Sequence, residues 1–169
     1  MRSSTCAARV IFFALVLCCG LSAADKNSTE YYNEGLEYAK SGRLEQAEQI
    51  FKKTIEVNRY YCLGHYGLGR VYMYRPDTMD RAIVHLKKAV ELDSDYAPAY
   101  FYLGLAQLVT GRYVDSIHSF NSAFEKDNRF VESLYNIGTV YELLGDDYKA
   151  FHYYRKYLYE KEILNSSPF

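Results

Sequence analysis

Two stretches of this chain are nearly the same dozen residues. YGLGRVYMYRPD begins at Tyr66 and YNIGTVYELLGD at Tyr135, with the aromatic, glycine, valine and tyrosine in register. Aligned on those glycines, four copies emerge, at Gly35, Gly69, Gly104 and Gly138, spaced by 34, 35 and 34 residues. A fixed period of that size marks a chain built of stacked units, each packing on its neighbours. The units run about 28–61, 62–96, 97–130 and 131–164.

Other columns keep the same beat. Three residues after each glycine stand Tyr38, Tyr72, Gln107 and Tyr141. A small residue follows at Ala47, Ala82, Ser116 and Ala150, and a bulky one four further on at Phe51, Leu86, Phe120 and Tyr154. A third column reads Thr54, Ala89, Ala123 and Tyr157. Within each unit the apolar spacing is helical, as in Ile50, Phe51, Thr54 and Ile55. Glycines in SGR at Ser41, TGR at Thr110 and LGD at Leu144 stand where a helix must stop. The second unit uses RPDTMD from Arg75 instead, where Pro76 breaks the helix and Asp77 is expected to cap the next one. Asp146 and Asp147 are placed at the start of the last helix, where acids suit the helix dipole.

These columns resemble the tetratricopeptide repeat, a helix–turn–helix family of 34-residue units, and the resemblance spans about residues 28–164. It implies an all-α solenoid of about eight helices, coiled into a right-handed superhelix whose inner wall is the first helix of each unit. The chain departs from the family pattern at Glu34, which takes a usually apolar place, at Gln107, which replaces a tyrosine, and in lacking the proline near each unit's end. Some members hold chaperone C-termini with lysines, asparagines and arginine on these inner helices. The matching places here are Tyr32, Leu36, Gly67, Pro98 and Tyr102, so that clamp is absent.

On the first helices, positions i, i+4 and i+7 share a face. They are Tyr32, Leu36 and Ala39; Tyr66, Arg70 and Met73; Phe101, Leu105 and Leu108; Tyr135, Thr139 and Glu142. Two readings stay open for this second apolar side. It is either further core between units or an aromatic groove for a peptide, in which Arg70 pairs with a ligand carboxylate. A second candidate surface is the last helix, with Phe151, Tyr153, Tyr154, Tyr157 and Leu158 near the end of the array. Arrays of this family usually finish with a polar-faced capping helix, and only NSSPF follows Leu164. Either the tyrosines cover that end themselves, or, the favoured reading, it docks a partner or a second copy of the chain, making a homodimer.

The first 24 residues are set apart as a domain of their own. Arg2 and Arg9 precede the apolar run Val10–Leu21, and small residues surround a cut after Ala24, the order of parts in a secretory signal peptide. The mature domain is then 25–169, and export to the periplasm or cell envelope, or secretion, is the expected location. Cys18 and Cys19 raise a second reading, a lipid-anchored N-terminus, although Leu17 before Cys18 is larger than such sites favour. After cleavage only Cys62 remains, so no internal disulfide is available. The formal net charge of -1 gives no field to gather nucleic acid.

No catalytic constellation stands out. His65, His85, His118 and His152 lie on separate helices, without the close spacing of a metal site. Cys62 is read as an inert thiol, and no phosphate-binding glycine loop is present. Asn27 and Asn165 head glycosylation sequons. The expected function is a protein-binding scaffold without enzymatic activity, metal or cofactor. The alternative is an accessory of an envelope transport system that holds an apolar small ligand or a transport component.

Overall fold

The computed structural model describes residues 26–166. The signal peptide and the lipid-anchor alternative expected from the sequence fall on residues 1–25, outside this range. The described residues form eight α-helices and one 3₁₀ turn, and contain no strand. The helices are α1 (Ser28–Lys40), α2 (Leu44–Val57), α3 (Cys62–Tyr72), α4 (Met79–Leu92), α5 (Ala97–Val109), α6 (Tyr113–Lys126), α7 (Glu132–Leu143) and α8 (Asp147–Ser166). Each of α1, α3, α5 and α7 packs against the helix that follows it. Each hairpin's second helix then packs on the first helix of the next unit, producing the expected all-α solenoid.

The helix ends follow local chemistry. Asn27 opens α1 with a capping box: its side chain accepts the Glu30 N–H at 3.0 Å, and the Glu30 carboxylate accepts the Asn27 N–H. Asp146 does the same work for α8 by accepting the Lys149 N–H at 3.0 Å. In the first, third and fourth units the hairpin turns through Gly42, Gly111 and Gly145, at φ 74, 72 and 76°. The residue after each glycine donates to a carbonyl five positions back, Arg43 to Tyr38, Arg112 to Gln107 and Asp146 to Tyr141. These bonds use carbonyls that the helix leaves open at its end.

The second unit corrects the expectation for Asp77. Pro76–Thr78 form a 3₁₀ turn and Thr78 is the residue that precedes α4. Its buried hydroxyl turns back to the Tyr72 and Arg75 carbonyls, at 2.6 and 3.0 Å, so it closes the preceding helix instead of capping the next. Asp77 is exposed.

The repeated columns turn out to be one contact made four times. A Cβ placed on Gly35 would sit 2.6 Å from the Phe51 ring, on Gly69 2.5 Å from Leu86, on Gly104 2.7 Å from Phe120, and on Gly138 2.6 Å from Tyr154. Each glycine is therefore the seat of its own unit's bulky residue. Gly67 of the second unit closes on Phe51 from the other side, also at 2.6 Å, which ties α3 to the first hairpin. Around these seats Ala47, Ala82, Ser116, Leu86, Phe120, Thr54, Ala89 and Ala123 are fully buried. Burial of each Phe is worth about 1.5–3 kcal/mol.

Two glycines separate close packing from backbone need. Gly104→Ala should lower stability in urea unfolding by about 1–3 kcal/mol through overpacking against Phe120, although alanine is about 1 kcal/mol the better helix former. Gly111 has open space but a positive φ, which asparagine tolerates, so Gly111→Asn should fold with a loss of under about 1 kcal/mol. A stabilising Gly104→Ala would contradict the seating role.

Candidate functional site

The aromatic residues three before each column glycine divide by their surroundings. The Tyr32 ring lies 5.8 Å from Phe51 and 6.1 Å from Tyr61. Tyr66 lies edge-on to Tyr96 at 5.1 Å, and Phe101 lies 5.8 Å from Phe120 and 5.4 Å from Phe130. In each case an aromatic from the turn after the unit closes over the ring. Tyr32 and Tyr66 are only 9% and 6% exposed, so their rings sit chiefly in the core. Phe101 is half-buried. Burial pushes the Tyr66 hydroxyl up to about 12. Tyr135, in the last unit, keeps half its surface, with 50% exposed.

The open part of the wall lies one turn further along. A hollow of about 230 Å³ between α1 and α3 is lined by Leu36, Ala39, Lys40, Arg70 and Tyr74, with Tyr66 and Phe51 below. A second, of about 190 Å³, is lined by Arg70, Met73, Tyr74 and Tyr102. Arg70 and Tyr74 belong to both. The Arg70 guanidinium lies over the Tyr102 ring at 4.8 Å and the Tyr66 ring at 5.5 Å. Such cation–π contacts steady a cation without neutralising it.

Arg70 is half-buried, and among the described residues no carboxylate lies within ion-pair distance of it. Arg43, Arg59, Arg81 and Arg155 also lie over rings, but they are exposed to water. Arg75, which is half-buried too, has Glu45 at 2.8 Å. Burial works against the Arg70 charge, while the Tyr66 and Tyr102 hydroxyls beside it favour the charge, and its pKa ends raised. The result is a permanent, partly desolvated cation open to an anionic group.

Other predicted positions are spread out. Leu105 and Leu108 on α5 are half-buried. Thr139 donates to the Tyr135 carbonyl at 3.2 Å and accepts the Tyr154 hydroxyl at 3.3 Å. At the end of the array Tyr135, Glu142, Tyr154, Tyr157 and Leu158 border an open hollow of about 330 Å³. Phe151 and Leu158 are 61% and 63% exposed. Tyr153 does not share that face: it stacks on Tyr141 inside the hairpin, 5.5 Å centre to centre. Cys62 is half-buried with Asp93 Oδ2 at 3.9 Å, and burial followed by that carboxylate pushes its thiol pKa up, away from nucleophilic use.

Reading of the sequence missed Tyr74 and Tyr102. Neither belongs to a column: their counterparts are Lys40, Val109 and Leu143 for Tyr74, and Asn33, Gly67 and Asn136 for Tyr102. The available signal was a break in the repetition beside an unpaired arginine. Among the described residues no helix is long and apolar enough to cross a membrane.

Models of the tetratricopeptide repeat match residues 31–61 and 131–162, and a further model of the same repeat matches 79–111. Among curated proteins none matches the chain in sequence. Among solved structures, a crystal structure of MamA superposes with a TM-score of 0.80 at 25% identity, over 86% of this chain and 84% of that one. Residues 41 to the end of MamA from Desulfovibrio magneticus RS-1 give 0.74 at 20% identity, over 83% and 78%. The first repeat domain of Spaghetti (RPAP3), bound to the HSP90 peptide SRMEEVD, gives 0.67 at 17% identity, over 75% and 99%, a likeness of fold alone. The repeat matches together take in more than half of the chain, and the chain belongs to the tetratricopeptide-repeat family.

Proposed function

We propose that this chain is an exported scaffold without catalytic activity, which grips an extended segment of another protein on its inner wall. The observation that carries the reading is Arg70, half-buried between the Tyr66 and Tyr102 rings and lacking a carboxylate partner among the described residues. A segment with an acidic side chain would neutralise it, while flanking apolar residues would occupy the hollows beside Leu36, Ala39, Met73 and Tyr74. The peptide SRMEEVD held by the RPAP3 repeat domain is itself acidic, and it supports peptide capture as a use of this fold.

An apolar metabolite is the weaker occupant. The two spaces, at about 230 and 190 Å³, are smaller than the roughly 300–1,000 Å³ of common ligand pockets. Both are also walled by a guanidinium. Export rests on the arrangement of Arg2, Arg9, Val10–Leu21 and Ala24, with the periplasm or cell envelope as the destination. The end face around Tyr157 and Leu158 is proposed as the contact with a second copy. Among the described residues no further unit covers the aromatic seat there.

Three measurements test this reading. Peptides selected for binding from a displayed random library should be enriched in Asp or Glu next to apolar residues. Arg70→Gln should weaken them about 10- to 100-fold, the cost of a charge-assisted hydrogen bond, whereas Tyr148→Ala, at an 82% exposed site elsewhere, should not. Binding unchanged by Arg70→Gln would sink the groove. Intact mass of the native protein should show loss of 24 residues, while an added acyl mass would point instead to a lipid anchor. Light scattering should show concentration-dependent dimers that Leu158→Asp abolishes, and a strictly monomeric wild type at high concentration would remove the second-copy contact.

A further inference from the structure

The histidines that look scattered along the chain include one converging pair. His65 on α3 and His85 on α4 bring their Nδ1 atoms to 3.1 Å, with ring centres 5.3 Å apart. Both are half-buried. The pair is not a product of repetition. The counterparts of His65 are Tyr31, Tyr100 and Leu134, and those of His85 are Ile50, Ser119 and Tyr153. Every residue column with a packing role recurs along the array, and this pair occurs once.

We propose that His65 and His85 form a two-histidine site for a divalent transition-metal ion such as zinc, clamping α3 to α4, with water or a partner's donor completing the coordination. Nitrogens 3.1 Å apart, each about 2.0–2.1 Å from one ion, subtend about 100° at it, close to the tetrahedral angle zinc adopts. The ion lies off the line between the nitrogens, so small rotations of the two rings are enough to seat it.

The surroundings favour neutral ligands. The His65 ring also hydrogen-bonds the Arg59 backbone. With Nδ1 turned to His85, Nε2 supplies that bond, the outer contact that usually orients a metal-bound imidazole. Nδ1 of His65 then presents its lone pair, and the proton between the rings belongs to His85. Moving that proton to His85 Nε2 frees the second lone pair with no change of net charge. Burial lowers the pKa of both rings, His85 to about 4 with His65 and Lys52 adding to the effect. The two nearby cations are themselves paired. Lys52 on α2 holds Glu48 at 2.7 Å and Lys88 on α4 holds Glu91 at 3.0 Å. The Tyr72 ring covers His85 at 5.6 Å, and its hydroxyl donates to Glu48. Among the described residues no set of three or more His, Cys, Asp or Glu converges, so the ion would keep open positions. An exchangeable, partner-completed site is the kind this scaffold could use.

Isothermal titration of the metal-stripped chain with zinc chloride at pH 7.5 tests the proposal. One zinc per chain is expected for wild type and for a His118→Asn/His152→Asn double variant. Binding should be at least about 10-fold weaker in His65→Asn and in His85→Asn, which lose a ligand. Asparagine keeps a hydrogen-bonding atom near the Nδ1 position, and circular dichroism checks that each variant is folded. No zinc bound by wild type, undiminished binding in either single variant, or loss of binding in the double variant would overturn the site. A second readout needs no variant: copper(II) on the wild-type chain should show electron-spin coupling to two imidazole nitrogens. One nitrogen, or none, would equally overturn it.

Discussion

The glycine seat is the contact on which everything else in the solenoid rests. A helix pair can approach closely only where one helix has no side chain, and in each unit the bulky residue of the second helix fills that gap. The first-unit seat does more: Phe51 is held between Gly35 and Gly67, so a single ring fixes both the hairpin and its junction with the next unit. Since stacked units owe their stability to neighbour interfaces, that ring helps to set the spacing along the array.

Much of the fold was legible because a repeated column is a repeated contact. The glycines, the alanine column and the Phe51, Leu86, Phe120 and Tyr154 column are spaced by the architecture, and the structure joins them as the spacing implied. Where the repetition broke, legibility fell. The second hairpin lacks a turn glycine, and a proline with an acid after it suggested an ordinary helix start. The buried Thr78 hydroxyl took the role instead, because the Tyr72 carbonyl at the end of α3 and the Arg75 carbonyl in the turn were within its reach. A residue's reach across a turn has no signature in spacing.

The same logic sorts the candidate site. Tyr32, Tyr66 and Phe101 recur in register, and recurrence is what a packing role produces: each ring is closed over by the aromatic of the next turn. Residues that recur are poor evidence for recognition, since a partner meets the array once. Arg70, Tyr74 and Tyr102 do not recur, and they meet on the wall at one place. The His65–His85 pair obeys the same rule on the other side of α3. Sequence placed Arg70 on its wall, but its neighbours could not be read, because Tyr102 arrives from the next unit, 32 residues away.

The fourth unit builds the same seat with a tyrosine. Tyr154 occupies the place of Phe51 and Phe120, and its ring meets Gly138 as theirs meet Gly35 and Gly104. Among the described residues no further unit covers it. The added hydroxyl donates to Glu142 Oε2 at 2.7 Å and lies 3.3 Å from Thr139 Oγ1, so the half-buried ring carries a polar tip that water can reach. Tyr157, where the inner units have threonine or alanine, spreads over Tyr135 at 5.5 Å and takes part of the missing neighbour's place. A phenylalanine and an alanine there would expose a bare seat. The tyrosines thus give this face both apolar ring surface and polar tips.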